Sequence, residues 1–324
     1  MGNKAILGID TSCYTTSVAA VALDGQLLAA RRRLLVVSKG GRGLRQSEGV
    51  FQHTGNLPDM MKLLREDIPD TEFVGVCASF TPRDQEGSYM PVFTVGSGMA
   101  QSIGLALNVP VFQTNHQSGH VAAAKIGSGI PKGDHLALHL SGGTTEVLLC
   151  HENGKLDLLG GSNDLHAGQF VDRVGVKLGL GFPAGPALEE LAEDVEPKSL
   201  VGAKCVGLEC SFSGAEAQMM RLIEGGTYSR EQLAAEVYSV LARTIEKLLT
   251  NAAKETGVQN VLLAGGVVSS KRFRKELLAR MKKNRSPFCA YFGKPENSGD
   301  NAVGVAMLGL DKYLKEKEHD RNDH

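Results

Sequence analysis

The sequence lacks several features that would assign it to a class at once. Its six cysteines include no Cys-x-x-Cys pair, which argues against a disulfide framework and against a cysteine-based zinc module. No apolar run is long enough to span a bilayer, and the N-terminal MGNKAILGIDTS reaches a polar turn too early for a signal peptide. The net charge is only -1, so no overall field attracts nucleic acid or an anionic membrane. We therefore expect a cytoplasmic protein that does not contact membranes.

Length and composition indicate a two-domain α/β protein. The chain has 324 residues, 42% of them hydrophobic and 22% charged, with 39 glycines. Basic residues are concentrated locally, because residues 271–285 hold eight Lys or Arg against one Glu and the run ARRR ends at Arg33. Such clusters indicate either a solvated helix face or contact with a polyanion.

Two segments about 130 residues apart repeat one pattern. Residues 5–30 and 136–160 each predict a buried strand, a small polar turn, a second strand, an Asp-Gly or Asn-Gly hairpin and a third strand. Glycine and small hydroxyl residues let backbone N–H groups approach an anion, as in phosphate-binding loops. Neither turn is a Walker A or dinucleotide fingerprint. The repeat predicts two similar domains facing each other, the alternative being two unrelated hairpins.

The clearest helix pattern lies at residues 229–257. Ser229 and Gln232 form a capping box, Gly257 ends the pattern, and the apolar residues follow one helical face. We interpret this helix as part of a core and not as a site.

Three other segments carry residues of chemical interest. Residues 260–278 predict a buried strand, a Gly-Gly turn and a helix that opens with Ser269 and Ser270, where a flat ring or phosphate could lie against backbone. Asp172 could hold ribose hydroxyls or be a solvated helix carboxylate. Asp300 could cap the helix that follows it, or ligate a metal if that helix folds back across the gap between the domains.

His116 and His120 are the first candidate metal ligands. They stand four residues apart, so on a helix both imidazoles leave the same face. Asn115 can cap that helix, and VAAAK continues it. Two ligands do not make a site, however, and the pair is also compatible with two ordinary helix residues.

The motifs, taken in order, resemble the TsaD/Kae/Gcp family, which transfers a threonylcarbamoyl group to adenosine in tRNA and was long labelled as an endopeptidase. The resemblance runs from about Ile6 to Gly309. The matching motifs are GIDTSC (8–13), NHQSGH (115–120), LSGGTTEV (140–147), AGQFVDRVGVKLGLGFPAGP (167–186), SFSG (211–214), LLAGGV (262–267) and GDNAVGVA (299–306).

This resemblance implies the duplicated actin/Hsp70/sugar-kinase (ASKHA) fold with a nucleotide cleft between its domains. We assign residues 1–133 with 299–324 to the first domain and residues 134–298 to the second. Each family role is carried over to the matching position. The metal ligands are His116, His120 and Asp300; the phosphate loop is Ser141, Gly142 and Gly143; the ribose and nucleotide residues are Asp172 and Gly185; the adenine-side residues are Gly265, Gly266 and Ser270; and the catalytic residues are Asp10 and Ser12.

The implied chemistry is acyl transfer. Two imidazoles and a carboxylate leave open positions on Zn or Fe, as a Lewis-acid site needs. The implied ligands and partners are one divalent metal, ATP, AMP or threonylcarbamoyl-adenylate, tRNA, and protein partners of the threonylcarbamoylation machinery. The exocyclic amine of a flipped-out adenine would attack the carbamoyl group, and AMP would leave.

The sequence departs from the family pattern at several positions near the expected chemistry. The segment TPRDQEGSYMP (81–91) replaces a Gly-Pro-Gly turn. The residue departures are Tyr14 and Thr15 for Asp-Glu, Gln52 and His53 for Pro-Glu, Thr144 for His, Arg173 for Lys and Ser270 for Asn. Because loss of a general acid or base costs ~100- to 10,000-fold in rate, these changes favour weak or altered transfer.

Two other functions are therefore weighed against an active transferase. One is a nucleotide- and metal-binding homologue that acts through a partner. The other is a metalloprotease, which is disfavoured because Gln117 occupies the position of the glutamate that activates water in His-Glu-x-x-His enzymes.

Overall fold

The computed structural model describes residues 3–37 and 44–322, which divide into two compact units. The first comprises Met1–Ile126 and Gly299–His324, and the second Gly127–Ser298. The strands are β1 Lys4–Thr11, β2 Thr15–Ala22, β3 Leu27–Leu34, β4 Glu72–Thr81, β5 Val111–Asn115, β6 His135–Leu140, β7 Thr145–Cys150, β8 Leu156–Ser162, β9 Lys204–Val206, β10 Glu209–Ser211, β11 Asn260–Ala264 and β12 Cys289–Phe292. The α-helices are α1 Gln46–Asp67, α2 Val92–Leu107, α3 His116–Lys125, α4 Ala167–Lys177, α5 Gly185–Ala192, α6 Ser213–Gly225, α7 Arg230–Thr256, α8 Lys271–Asn284 and α9 Val303–Asn322.

The first unit is a five-stranded sheet covered by helices on both faces. Its strand order is β3-β2-β1-β4-β5, with an antiparallel β1-β2-β3 meander and parallel β4 and β5. Side chains alternate between the faces, so Ile9 and Val18 pack toward α1 and α2, whereas Ile6 and Ala19 pack toward α9. Each face buries its own apolar core.

Helix α9 lies unusually close to both β1 and α3. A Cβ on Gly8 would lie 2.6 Å from the carbonyl oxygen of Ala302, and a Cβ on Gly304 would overlap the carbonyl oxygen of Gly119. Only glycine permits this approach of backbone to backbone. The start of α9 is thereby held against the end of the sheet where α3 begins.

The second unit repeats the same arrangement with an extension. Strands β8-β7-β6-β11-β12 reproduce the order and directions of the first sheet, and β10 and β9 extend it beyond β8. The buried helix α7 forms the centre of its core. The capping box of Ser229 and Gln232 and the termination at Gly257 are confirmed, as is the interpretation of this helix as core.

The internal repeat extends to individual backbone hydrogen bonds. The turn after β1 is closed by the N–H of Ser12 and the carbonyl of Thr15 at 3.2 Å, and the turn after β6 by Ser141 and Thr144 at 2.8 Å. The two hairpins likewise match, because Ala22 donates to Gln26 as His151 donates to Lys155, at 2.8 and 2.9 Å. The predicted duplication is therefore confirmed, and the alternative of unrelated hairpins is wrong.

The basic segment 271–285 is neither a uniform solvated face nor a uniform basic patch. Arg272 is buried and donates to the carbonyls of Glu193 and Val195, while Arg274 donates to the carbonyl of Val268. These cations hold α8 in place and are not available to a polyanion. Separately, no helix within residues 3–37 and 44–322 combines the length and apolarity needed to cross a membrane.

Candidate metal centre and nucleotide-binding turns

The candidate metal ligands come from two elements of the first unit. His116 and His120 lie on α3, which begins directly after β5 and is capped by the Asn115 side chain, which accepts from the N–H of Ser118 at 2.8 Å. Asp300 lies three residues before α9. It does not cap that helix, because the side chain of Asn301 accepts from the N–H of Val303. Nor does it cross between units, since all three ligands belong to the first.

Three donor atoms lie within 4.8 Å of one another: Nε2 of His116, Nε2 of His120 and a carboxylate oxygen of Asp300. The Nε2 atoms are 3.0 Å apart, and Asp300 Oδ1 is 3.2 Å from His120 Nε2 and 3.6 Å from His116 Nε2. Two donors bound to one tetrahedral zinc at about 2.0–2.1 Å lie about 3.3 Å apart. The observed separations bracket that value, so the donor set fits one divalent cation.

Asp10 and Ser12, at the end of β1, orient these ligands. The Asp10 carboxylate oxygens lie 3.0 and 3.1 Å from Nδ1 of His116. A carboxylate accepts, so Nδ1 carries the proton and Nε2 offers its lone pair toward the cation position. The Ser12 hydroxyl donates to Asp300 Oδ2 at 2.5 Å and leaves Oδ1 facing the histidines. Outer contacts of this kind fix metal ligands in other proteins.

Charges within the cluster shift its protonation equilibria. Burial lowers the pKa of His116, but the carboxylates of Asp10 and Asp300 outweigh burial and raise that pKa well above its usual value. Burial raises the pKa of Asp300, but His116 and His120 outweigh it and hold that pKa well below its usual range. The site thus favours positive charge between anionic neighbours, which a divalent cation satisfies.

His53 reaches the same turn from the opposite face of the sheet. It is fully buried on α1, with Nε2 2.8 Å from the Ser12 carbonyl and Nδ1 2.8 Å from the Thr16 hydroxyl. A carbonyl only accepts, so Nε2 carries the proton. Asn56 donates to the Thr16 hydroxyl, which in turn donates to Nδ1. Both ring nitrogens are hydrogen-bonded, and burial lowers the pKa of His53, so the ring is neutral and its role is structural.

Among the other departures in this region, neither Thr15 nor Gln52 carries an acid or a base. Tyr14 is half exposed, and the carbonyl of Thr15 closes the turn. The Gln52 side chain accepts from the N–H of Val36 at 2.8 Å and donates to the carbonyl of Val36 at 3.0 Å. These residues bind the protein's own backbone or face solvent.

In the second unit, the predicted phosphate loop is the exposed turn 141–144. A Cβ added to Gly142 or Gly143 would meet no atom of the described chain within 4 Å, and neither residue has a left-handed φ. The protein's own packing and backbone conformation therefore do not require glycine at either position. The space over these two residues is open to an anion that approaches the backbone.

The Gly-Gly turn after β11 lies beside turn 141–144. Gly265 has a φ of +103°, and its Cβ would overlap the carbonyl oxygen of Leu140, so only glycine fits there. A short 3-10 helix, Gly266–Ser269, precedes α8, so of the two serines predicted to open the α-helix Ser270 is confirmed and Ser269 belongs to the 3-10 helix. Ser270 caps α8 by accepting from the N–H of Phe273 at 3.1 Å.

Helix α4 is fixed against turn 141–144 by two contacts at its start. The N–H of Gly168 donates to the Ser141 carbonyl at 3.1 Å, and the N–H of Ala167 donates to the Thr145 hydroxyl at 2.8 Å. The sequence did not identify this role of Thr145. These contacts and Gly265 bring both turns and α4 into one region.

Asp172 is more than a solvated helix carboxylate, and its role at the ribose stays a prediction. The residue is half-buried on α4, and its Oδ1 accepts from the N–H of Ala184 at 2.8 Å. One carboxylate oxygen is thus used to hold the start of α5. Gly185 is fixed by the same junction, since its carbonyl accepts from the hydroxyl of Tyr238 at 3.2 Å.

Asp164 is a residue that the sequence did not identify. Its carboxylate accepts from the hydroxyls of Ser211, at 2.5 Å, and Ser213, and from the N–H of Phe212 at 3.0 Å. Burial raises the pKa of Asp164, but these hydrogen bonds outweigh it and hold the pKa below its usual range. The motif SFSG is thereby held against the loop after β8, and no local sequence pattern predicts this contact.

Comparisons with known proteins agree with this architecture. A family model described as TsaD, tRNA N6-adenosine threonylcarbamoyltransferase, matches residues 67–302. A tRNA N6-adenosine threonylcarbamoyltransferase of Carboxydothermus hydrogenoformans is 29% identical over 97% of this chain and 94% of its own. A probable bifunctional tRNA threonylcarbamoyladenosine biosynthesis protein of Methanobrevibacter smithii is 30% identical over 94% of this chain and 54% of its own.

Solved structures share the fold at low identity. The activator of 2-hydroxyisocaproyl-CoA dehydratase from Clostridium difficile matches with a TM-score of 0.55 and 15% identity, over 97% of both chains. HypF of T. kodakarensis matches with a TM-score of 0.60 and 16% identity, over 97% of this chain and 48% of that one. These likenesses confirm the predicted actin/Hsp70/sugar-kinase-like fold.

Proposed function

Because the chain belongs to the TsaD family of tRNA N6-adenosine threonylcarbamoyltransferases, we propose that it transfers threonylcarbamoyl from its adenylate to an adenosine of tRNA. The observation that carries the proposal is the cluster of His116, His120 and Asp300, whose donor atoms are spaced for one cation and whose outer atoms are held by Asp10 and Ser12. The cation is Zn or Fe, because imidazole and carboxylate donors suit both.

The reaction balances without a covalent enzyme intermediate. The N6 amine of adenosine forms a bond to the carbamoyl carbon, and the bond from that carbon to the phosphate oxygen breaks. AMP leaves with the electron pair, and the amine loses one proton to solvent. The metal would supply a Lewis acid for the carbamoyl oxygen.

The chain's own residues position the ligands for this step. Asp10 holds His116 in the tautomer that binds a cation, and Ser12 selects which oxygen of Asp300 faces the histidines. In the second unit, the open backbone of Gly142 and Gly143 would accept the phosphate of the adenylate, and Gly266 would leave room for the adenine. His53 takes no part in proton transfer, because both of its nitrogens are engaged within the protein.

The partners in this proposal are an adenine nucleotide, tRNA and a further protein of the threonylcarbamoylation machinery. The relative described as bifunctional supports the last of these, because the chain covers only 54% of it. That relative joins this region to additional sequence in one polypeptide.

The test uses purified protein loaded with Zn or Fe, threonylcarbamoyl-adenylate and unmodified tRNA. Digestion of the tRNA should release threonylcarbamoyladenosine, and the double variant His116→Ala/His120→Ala should produce none while retaining its fold. If the loaded wild type leaves the tRNA unmodified, the proposed transfer is wrong.

A second function is favoured by one observation, the structural role of His53. The position matched to a family glutamate carries a ring that cannot exchange protons with a ligand. This supports a homologue that binds metal and nucleotide without efficient transfer. Binding of AMP and of one metal per chain, without any modified nucleoside, would be its signature.

A further inference from the structure

The three consecutive arginines of β3 do not share one environment. Cross-strand partners in a sheet lie on the same face, and Asp10 pairs with Ser17, which pairs with Arg32. Arg32 therefore lies on the face that carries Asp10 and α9. Arg31 and Arg33 lie on the opposite face, where α1 packs.

The pairing of these arginines differs in the same way. Arg31 binds Asp67 and Arg33 binds Asp59, both on α1. Arg32 forms no hydrogen bond or ion pair with any residue among 3–37 and 44–322, and it is exposed. An exposed guanidinium without a carboxylate partner offers five donors to an external anion.

The Arg32 guanidinium lies beside Gly299, one residue before the candidate metal ligand Asp300. A Cβ built on Gly299 would be 3.2 Å from Arg32 Nη1, and Gly299 immediately precedes the metal ligand Asp300. A side chain larger than glycine at this position would press against the guanidinium. Adjacent strands are spaced by about 4.8 Å, so the backbones of Asp10 and Arg32, which lie two strands apart, are about 10 Å from each other.

We propose that Arg32 binds the carboxylate of the threonyl group that the protein transfers, and so selects an amino-acid-derived carbamoyl group. This inference rests on the proposed function. In threonylcarbamoyl-adenylate the carboxylate carbon is separated from the carbamoyl carbon by two atoms, a span comparable to the ~3.8 Å between successive Cα atoms. If the carbamoyl oxygen of the substrate lies at the metal, the threonyl carboxylate must therefore lie close to the metal as well.

A carboxylate is the anion that suits Arg32 best. Guanidinium binds carboxylates with two parallel hydrogen bonds, and such charge-assisted pairs are stronger than neutral ones. The carboxylate of Asp300 is already bound by Ser12 and the two histidines, so it does not compete with the substrate for the Arg32 guanidinium. Arg32 is a substrate-binding residue in this proposal and takes no proton.

The main test measures equilibrium binding of an adenylate analogue without tRNA, so it does not depend on turnover, and a parallel titration with tRNA at several salt concentrations covers the RNA alternative. The probe is a non-transferable sulfamoyl analogue of threonylcarbamoyl-adenylate, compared with the same analogue built on 1-amino-2-propanol, which lacks the carboxylate. Titration calorimetry is carried out on metal-loaded wild type, Arg32→Ala, Arg32→Lys and the matched control Arg31→Ala, which removes an arginine from the same strand but the opposite face.

Arg32→Ala should weaken the carboxylate-bearing analogue about 10- to 100-fold and leave AMP and the carboxylate-free analogue unchanged. Arg32→Lys should recover part of the loss, since lysine keeps the positive charge but lacks the two parallel N–H donors of arginine. Arg31→Ala should bind both analogues as wild type does. Equal loss for both analogues, or no loss, would overturn the assignment. If Arg32→Ala instead binds both analogues as wild type does, but binds tRNA more weakly and with a smaller dependence of affinity on salt concentration, Arg32 contacts an RNA phosphate.

The arms also separate this inference from the proposed transfer. If wild type binds the analogue and Arg32→Ala does not, while no tRNA is modified, the transfer proposal fails and the carboxylate site stands. If tRNA is modified with the same KM for the adenylate in both proteins, the carboxylate site fails and the transfer proposal stands.

Discussion

Asp10 touches the candidate metal centre through His116. Its carboxylate fixes the Nδ1–H tautomer without reaching the cation position itself. We expect Asp10→Asn to retain all three ligands yet weaken metal binding about 10- to 100-fold, because the outer carboxylate sets ring orientation and ligand basicity. Competition against a chromophoric chelator measures the change.

Asp24→Asn provides the matched control for that measurement. Asp24 lies in the hairpin between β2 and β3, where its side chain accepts from the N–H of Gln26. The same loss of one carboxylate at this exposed turn should leave metal affinity unaltered. An effect of equal size in both variants would show that overall charge, and not orientation of His116, controls binding.

His53 links stability to pH. In His53→Leu the buried Ser12 carbonyl and Thr16 hydroxyl lose their partners, so we expect the free energy of unfolding at pH 7.5 to fall by about 2–5 kcal/mol. Because burial lowers the pKa of His53, the unfolded chain binds its proton more readily. The native state therefore gains stability above the unfolded value of about 6.5 and loses it as pH falls.

The difference between wild type and His53→Leu should consequently shrink between pH 7.5 and pH 5, as measured by urea unfolding at both values. His151→Leu is the control, since that partly exposed ring pairs with Asp157 at the surface and its removal should cost under about 1 kcal/mol. A difference that stays constant with pH would argue against a neutral, buried His53.

At this scale, local patterns predicted some residues and not others. The spacing of His116 and His120 places both rings on one helical face whatever the tertiary structure, and the Asn115 cap is equally local. The contact of His53 with Ser12 joins α1 to the turn after β1, so it depends on packing that no short pattern encodes. Arg32 could have been found by pairing β1, β2 and β3 around the Asp-Gly turn and sorting the arginines by face.

At the scale of elements, the close approach of α9 and α3 brings the candidate metal ligands together. Gly304 lies against Gly119, which stands between His116 and His120, and α9 begins three residues after Asp300. Gly304→Ala should force the helices apart, cost about 1–3 kcal/mol and weaken metal binding. Thermal unfolding and chelator competition test the two effects.

Gly55→Ala is the control for the same substitution in a helix. Gly55 is exposed on α1, and a Cβ there would meet no described atom within 4 Å. Alanine should stabilise the protein by up to about 1 kcal/mol and leave metal affinity unchanged. Equal responses at positions 55 and 304 would contradict the packing argument.

Elements with strong local signals were predicted and those made by tertiary contacts were not. The Asp-Gly and Asn-Gly hairpins and the amphipathic α7 each carry turn, cap or periodicity signals within a few residues. Strands β9 and β10 have three residues each and exist because β10 pairs with β8. The 3-10 helix likewise follows Gly265, whose close approach to Leu140 is a tertiary contact.

At the scale of the whole molecule, duplication made the fold predictable. Two meanders with the same turns can build the same sheet twice, and the matched hydrogen bonds of Ser12 with Thr15 and Ser141 with Thr144 show that they do. The two copies have diverged in chemistry. In the first turn Ser12 holds the candidate metal ligand Asp300, whereas the second turn exposes Gly142 and Gly143.

If the first unit binds the metal and the second binds the nucleotide, each binding activity can be removed without the other, while transfer requires both. His116→Ala/His120→Ala should lose its metal, measured by elemental analysis, but should still be stabilised by AMP in thermal unfolding. Gly142→Val/Gly143→Val should keep its metal and lose the AMP response, because side chains there block the open backbone and a Cβ at either position meets no described atom within 4 Å. Each variant should reduce tRNA modification by at least ~100-fold. Loss of both ligands from either variant would mean that one site depends on the other for its formation, and the assignment of one ligand to each unit would be wrong.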